Sequence, residues 1–257
     1  MQPHYWNNAK KHLSRTCPTL KTLIKRYQGE GLIARHDGFY SLLRAIVGQQ
    51  ISVKAADAVW AKVEKTVRPL TAKQLLATPD DALRACGLSG QKVLYAKNIA
   101  AFFIERGIKI FSSPLEGERD LPLQVRGGTA ASQFPPTKTH KGVLTPPQGG
   151  SKQPEGAYWA NLSDEEVIRQ LTAIKGIGSW TAEMFLMFHL ARPDVLPLKD
   201  IGLLKAMNLY YVDAAKLEGK KWLTPYEYAA IAAPWAPYRT VATWYLWRAL
   251  DPVPVAY

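Results

Sequence analysis

The residues able to do chemistry cluster in the C-terminal half of the chain. Ile174-Lys175-Gly176-Ile177-Gly178-Ser179-Trp180 places two glycines one residue apart between two helix-like runs. Glycine opens backbone conformations closed to other residues, and a helix starting at Gly178 or Ser179 leaves its first amides without intrahelical partners. Such amides beside Lys175 make a ready phosphate site. The same glycines would equally serve an αα-corner that only permits close packing. Twenty residues beyond Trp180, in Leu198-Lys199-Asp200-Ile201, Asp200 opens another predicted helix. A carboxylate there is either a plain N-cap or a charge that serves a reacting centre. Ser89-Gly90-Gln91-Lys92 forms a further helix start with a lysine in its first turn, read either as a second phosphate contact or as a solvated turn.

The elements that must hold these residues read as helices. Gly38 to Gln50, Ser52 to Val67 and Ser89 to Gly107 repeat apolar residues at three- and four-residue spacing. Thr71-x-x-Gln74, Ser163-x-x-Glu166 and Thr224-x-x-Glu227 are capping-box starts, and Thr78 precedes a first-turn proline. Later helices are predicted over about 163–174, 179–190, 200–211, 224–234 and 237–250. With no alternating strand run and no Asn-Gly hairpin signal, the expected class is all-α: about ten short helices in a two-lobed bundle. Residues 112–156 interrupt it with 7 of the 18 glycines, 7 of the 18 prolines and one aromatic, Phe134. That composition buries too little apolar area to offset its ordering entropy. The expected organisation is a first helical part over 1–111, a flexible insertion over 112–156, and a second helical part over 157–257.

Charge narrows the partners. The chain has 33 Lys+Arg against 21 Asp+Glu, a net +12, the footprint of a nucleic-acid or anionic-surface binder. The insertion holds five basic and four acidic residues, so +11 of the +12 belongs to the folded remainder. No run reaches 18 apolar residues, which excludes a transmembrane helix. The first residues lack a signal-peptide apolar region, which argues for an intracellular protein. Cys17 and Cys86 are too few for a disulfide framework or an iron–sulfur site and are expected to be buried thiols. The five histidines show no ligand spacing, so neither a transition metal nor a cofactor is expected.

Leu171-x-x-Ile-Lys-Gly-Ile-Gly-x-Trp-Thr-Ala182 resembles the helix–hairpin–helix of DNA glycosylases. LLRAIVGQQISVKAA (42–56), GLSGQKVLYAKNIA (87–100) and PWAPYRTVATWYLWRAL (234–250) match its alkylation-repair branch. In order and spacing the chain is similar to the 3-methyladenine DNA glycosylase II family over about 1–111 and 157–250. The resemblance implies a base-excision-repair enzyme that flips alkylated purines, of the 3-methyladenine or 7-methylguanine type, out of double-stranded DNA and hydrolyses their N-glycosidic bond. It implies Asp200 as the catalytic carboxylate, stabilising an oxocarbenium-like sugar and orienting or deprotonating water. Asp194, the competing carboxylate, is expected to cap a loop.

Trp180 and Trp247 fall at base-pocket positions, where indole faces suit a cationic base; core packing is the plain alternative. Trp235, Trp244 and Tyr238 are expected in the core, and Arg239 on a carboxylate the sequence does not identify. Gly176, Gly178, Thr181 and Lys175 are expected to meet the DNA backbone. Gln50, in the Gly48-Gln49-Gln50 turn, matches the residue that enters the gap left by the flipped base, where relatives often carry an apolar wedge; it could also be a simple helix-end polar residue. Trp180 stands where strand-cleaving relatives carry a Schiff-base lysine, which implies a monofunctional enzyme that leaves an abasic site. The resemblance also allows a monovalent cation on the carbonyls of Thr172, Ile174 and Ile177. The expected protein is a monomer. The alternatives are a non-catalytic helix–hairpin–helix DNA-binding protein and a glycosylase for oxidised or deaminated bases.

Overall fold

A computed structural model describes residues 2–35, 37–109, 153–213, 217 and 219–251. Among them lie thirteen α-helices: α1 Trp6–Thr16, α2 Pro18–Arg26, α3 Gly38–Gly48, α4 Val53–Thr66, α5 Ala72–Ala77, α6 Asp80–Ala85, α7 Gly90–Glu105, α8 Glu155–Ala160, α9 Asp164–Thr172, α10 Ser179–Phe188, α11 Ile201–Tyr211, α12 Pro225–Ala232 and α13 Arg239–Leu250. The class is all-α. The helix starts follow the predicted caps. Ser52, Thr71, Ser89 and Ser163 each accept a hydrogen bond from the amide three residues on. Thr224 and Glu227 complete a reciprocal capping box, the arrangement that satisfies two otherwise orphaned amides. Thr78 departs from expectation: its hydroxyl turns back to the Gln74 carbonyl at 2.8 Å, and Pro79 stands at the N-cap of α6.

Helices α3 to α7 pack against one another, with α7 against α3, α5 and α6. A second group joins α1 and α2 to α13, and α13 to α11. Helix α10 lies against α3 and α9, so the hairpin before α10 sits close to the first group. Residues Met184 to Phe188 of α10 are all buried, as expected of a helix enclosed on every side. Trp235 and Trp244 are buried in the core, and Tyr238 packs against it with its ring stacked near Tyr5. Cys17 and Cys86 are free and buried.

Most of the expected insertion lies outside the described residues, but its far end belongs to the fold. Ile108–Lys109 and Gln153–Pro154 form a two-residue parallel pair, which brings the two ends of the long segment together. Glu155 is 1% exposed at the start of α8. Its Oε2 accepts from the Gly38 amide at 3.1 Å, and its Oε1 lies 3.3 Å from Nε2 of His189. The insertion therefore cannot extend to residue 156. A single buried carboxylate overrides the Gly/Pro-rich composition around it.

Candidate active site

The hairpin between α9 and α10 is built around Gly176, whose φ of +110° lies in the left-handed region. A Cβ there would come within 2.3 Å of the Tyr95 ring, so the position requires glycine for both backbone and space. The Asn98 amide donates to the Lys175 carbonyl at 3.3 Å. Helix α7 thus braces the hairpin from below. Gly178 is the N-cap of α10 and gives it no side-chain cap, so the first amides of α10 are left to an outside acceptor. Lys175 is exposed beside this turn. The Ile177 amide bonds the Ile174 carbonyl at 3.0 Å; of the three carbonyls expected to suit a cation, that one already accepts a bond within the turn.

Asp200 is the N-cap of α11 and 8% exposed. Oδ1 accepts from the Leu203 amide at 2.6 Å and from Nε1 of Trp247 at 2.8 Å. Oδ2 accepts from Nε1 of Trp180 at 2.9 Å. The aspartate and the two tryptophans expected at the site thus meet at one point, and the cap and the site coincide in one side chain. The following glycine is part of this geometry, since a Cβ on Gly202 would fall 3.0 Å from Oδ1 and 3.4 Å from the Trp247 ring. Each carboxylate oxygen has about two lone-pair sites. Oδ1 has both filled, while Oδ2 keeps one for another partner.

A cavity of about 460 Å³ opens beside this centre between α3, the turn after it and α10. Trp180, Met184, Phe185 and Phe188 form its apolar wall, with Ser41 and Arg44 among its polar groups. Trp180 is the shared partition: its ring lines the cavity and its Nε1 reaches Asp200. Trp247 is not among the lining residues. It is 5% exposed and stacks parallel to Phe188, which lines the cavity, at 6.0 Å. Thr181 lines the cavity and is buried, which places it on the pocket side.

Gln50 is exposed at the cavity rim with a φ of +59°, a conformation uncommon outside glycine. Ile51 and Val53 beside it are 39% and 78% exposed. Lys92 does not point to open solvent: its ammonium donates to the Val47 carbonyl at 2.8 Å, and burial lowers its pKa. It caps the C-terminal end of α3, where a cation is favoured. The Gln49 side chain reaches the Gly176 carbonyl at 3.4 Å, tying the Gln50 turn to the hairpin.

Asp194 and Arg239 answer to each other. The carboxylate takes the guanidinium at 2.7 Å on both oxygens and the Arg239 amide at 3.1 Å, and this bond raises the arginine pKa. Two further groups carry no signal in the sequence. Lys199 donates to Ser179 Oγ at 2.8 Å, adding an exposed cation at the start of α10. Glu183 has its carboxyl raised by burial, opposed by Lys199 and reinforced by Asp200. The apolar run of α10, with no polar face, was the one available signal for Met184, Phe185 and Phe188 as a wall.

An amide-rich hairpin, a carboxylate held by neutral donors and an aromatic-walled cavity thus adjoin one another, and comparison with known proteins places them in a base-excision-repair glycosylase. Residues 43–222 match the HhH-GPD superfamily base excision DNA repair protein family, and the chain belongs to it. It is 28% identical to DNA-3-methyladenine glycosylase 1 of Schizosaccharomyces pombe over 93% of this chain and 86% of that one. The fold is similar to the structure of that organism's 3-methyladenine DNA glycosylase (Mag1) in complex with abasic DNA, with a TM-score of 0.65 at 25% identity over 97% of this chain and all of the other. It is also similar to a DNA-3-methyladenine glycosidase of Bacillus halodurans, with a TM-score of 0.59 at 28% identity over 91% and 89% of the two chains.

Proposed function

We propose that this protein excises alkylated purines from double-stranded DNA by hydrolysis, with Asp200 as its catalytic carboxylate and no covalent intermediate. It is a base-excision-repair glycosylase of the 3-methyladenine type. Its relatives named for that activity are similar along nearly the whole chain. The observation that carries the mechanism is that Asp200 pairs, among the described residues, with neutral N–H donors. A cation against this carboxylate would cancel its field, whereas indole and amide N–H groups fix its direction and leave its charge in place.

The flipped base enters the apolar cavity and meets the Trp180 ring, whose π face attracts a cationic purine. As the C1′–N bond breaks, its electron pair leaves with the base, which becomes neutral. The sugar becomes an oxocarbenium-like cation, stabilised by the carboxylate through a dry, preorganised field. Water held at the remaining lone pair of Oδ2 adds to C1′ and gives its proton to the carboxylate or to solvent. The amides of Gly178 and the first turn of α10, with Lys175 and Lys199, grip a backbone phosphate. Gln50 enters the gap left by the base. Ile51 and Val53, exposed beside it, supply the apolar contact that glutamine lacks.

Incubation with N-methylpurine duplex DNA tests the reading. Free methylated bases and alkali-labile abasic sites are expected, with no strand break and no DNA adduct on borohydride treatment. Base release undiminished in Asp200→Asn, or a borohydride-trapped adduct, would overturn it; Lys199 is the amine to examine first in the second case.

A further inference from the structure

The first 29 residues carry Lys10, Lys11, Arg15, Lys21, Lys25 and Arg26 and not one Asp or Glu. Six positive charges, half of the net +12, therefore sit in about a ninth of the chain. This segment folds as α1 and α2, which pack on each other and on α13 through Trp6, Ala9, Leu13, Leu20 and Leu23. Lys11, Arg15, Lys21, Lys25 and Arg26 are exposed on the outer side. Lys11 and Arg15 are four residues apart on α1, as are Lys21 and Lys25 on α2, so each pair shares a face and repels itself. Among the described residues no salt bridge is formed to any of the six. Arg15, Lys25 and Arg26 lie in last turns, where the helix dipole favours them. Lys11 and Lys21 have no such benefit.

We propose that the outer face of α1 and α2 is a second docking surface for the DNA phosphate backbone, independent of the lesion. The proposal rests on the reading of the protein as a DNA glycosylase. A repetitive polyanion is the ligand that makes an uncompensated row of cations favourable, through release of its condensed counterions. A lipid surface fits less well. Amphipathic membrane binders also present apolar side chains, and none of the large hydrophobics exposed among the described residues falls in this segment.

The surface is separate from the carboxylate centre. Cys17, in the turn between α1 and α2, meets the Tyr211 hydroxyl at 3.2 Å. Tyr211 ends the 11-residue helix that Asp200 opens. At about 1.5 Å per residue, Tyr211 lies roughly 16 Å along the helix axis from Asp200, so the turn meets the far end of α11. A duplex held there would add affinity for undamaged DNA and retain the enzyme between lesions.

The test compares the full-length protein with Lys11→Gln/Arg15→Gln/Lys21→Gln/Lys25→Gln and with a charge-preserving Lys11→Arg/Lys21→Arg/Lys25→Arg variant. Binding to a long undamaged duplex is followed by anisotropy between about 50 and 200 mM salt. The glutamine variant should bind at least tenfold more weakly at low salt. Its slope of log K against log salt should fall by up to about 3.6, near 0.9 for each of the four phosphates no longer neutralised. The arginine variant should match wild type, and single-turnover base release at saturating enzyme should be unchanged in both. Equal affinity and slope in the glutamine variant would overturn the proposal, with the glycosylase reading intact. So would preferential, charge-dependent binding of wild type to phosphatidylserine–phosphatidylcholine vesicles. Wild type that binds neither duplex nor methylated substrate would instead defeat the underlying reading. Because the four side chains are exposed, equal thermal melting is expected; were the quadruple to melt early, the Lys21→Gln/Lys25→Gln pair carries the same slope measurement.

Discussion

Two aspartates six residues apart illustrate two ways of keeping a carboxylate inside a helical protein. Asp194 is met by the Arg239 guanidinium on both oxygens, a forked geometry that neutralises its charge and pins α13 to the loop before α11. Asp200 is met by one amide and two indoles, which orient it without cancelling it. The first arrangement spends its charge on structure. In the mechanism we propose, the second keeps its charge for a cation that exists only during the reaction, the condition for lowering a barrier rather than tightening a ground state.

The largest effect should come from removing the charge itself. Asp200→Asn keeps a side chain able to cap α11, so melting should change little. Excision of methylpurines in single turnover should fall by about 10²–10³-fold. The next effect separates the orienting donors from the ring they belong to. Trp247→Phe and Trp180→Phe retain an aromatic but lose an N–H on the carboxylate. A hydrogen bond to a charged group contributes about 1.5–3 kcal/mol, so each variant should lose about 10–100-fold in rate. Trp247→Phe should spare substrate affinity, because Phe188 rather than Trp247 faces the cavity. Trp180→Phe should weaken both. Equal losses of affinity in the two variants would break the division between wall and support.

Much of this contrast was legible in the sequence. The Gly-x-Gly hairpin and the helix start at Asp200 are written in consecutive residues, whereas the roles expected of Asp200, Trp180 and Trp247 rest on the family resemblance, and their meeting at one carboxylate appears only in three dimensions. The partner of Arg239 was not legible, because the loop carrying Asp194 and the start of α13 meet only in three dimensions. The contact of Lys92 with the end of α3 was hidden for the same reason: the Val47 carbonyl it meets lies 45 residues earlier in the chain. Glu155 was hidden by its neighbours' composition. Its burial depends on Gly38, where any Cβ would strike the carboxylate at 2.0 Å, and no window of sequence contains both residues.

A smaller effect is expected on the structural side of the comparison. Arg239→Gln leaves the Asp194 carboxylate with the backbone amide alone. Both side chains are about a third exposed, at 34% and 28%, so solvent screening limits the loss to about 1 kcal/mol. For a chain of this size that is a fall of about 2–4 °C in Tm, with excision per folded molecule close to wild type. A large drop in rate at unchanged Tm would show that the ion pair serves the chemistry after all.

A third carboxylate has neither arrangement. Asp37 caps α3 through the Tyr40 amide at 2.8 Å, and no guanidinium or indole is bonded to it among the described residues. Its pKa is pushed up to about 6, first by burial and then by the nearby Glu155, against the opposing effects of the Tyr40 and Phe39 amides and of His189. The ordinary value for an unfolded chain is about 3.9. Between those values the folded protein binds a proton that the unfolded chain has released, so protonation favours the fold there. The contribution is fully present below about pH 4 and is lost as pH rises through about 6. Asp37→Asn keeps the cap and removes the titration, while Glu155 and His189 remain in both proteins. The stability of wild type relative to the variant, followed by denaturant midpoint, should therefore fall from about pH 4 to about pH 6 and then level off. Parallel curves would mean that Asp37 ionises at no cost beside Glu155. Orientation by a single amide would then suffice to hold a half-buried charge, and the two indoles on Asp200 would need a reason other than keeping it in place.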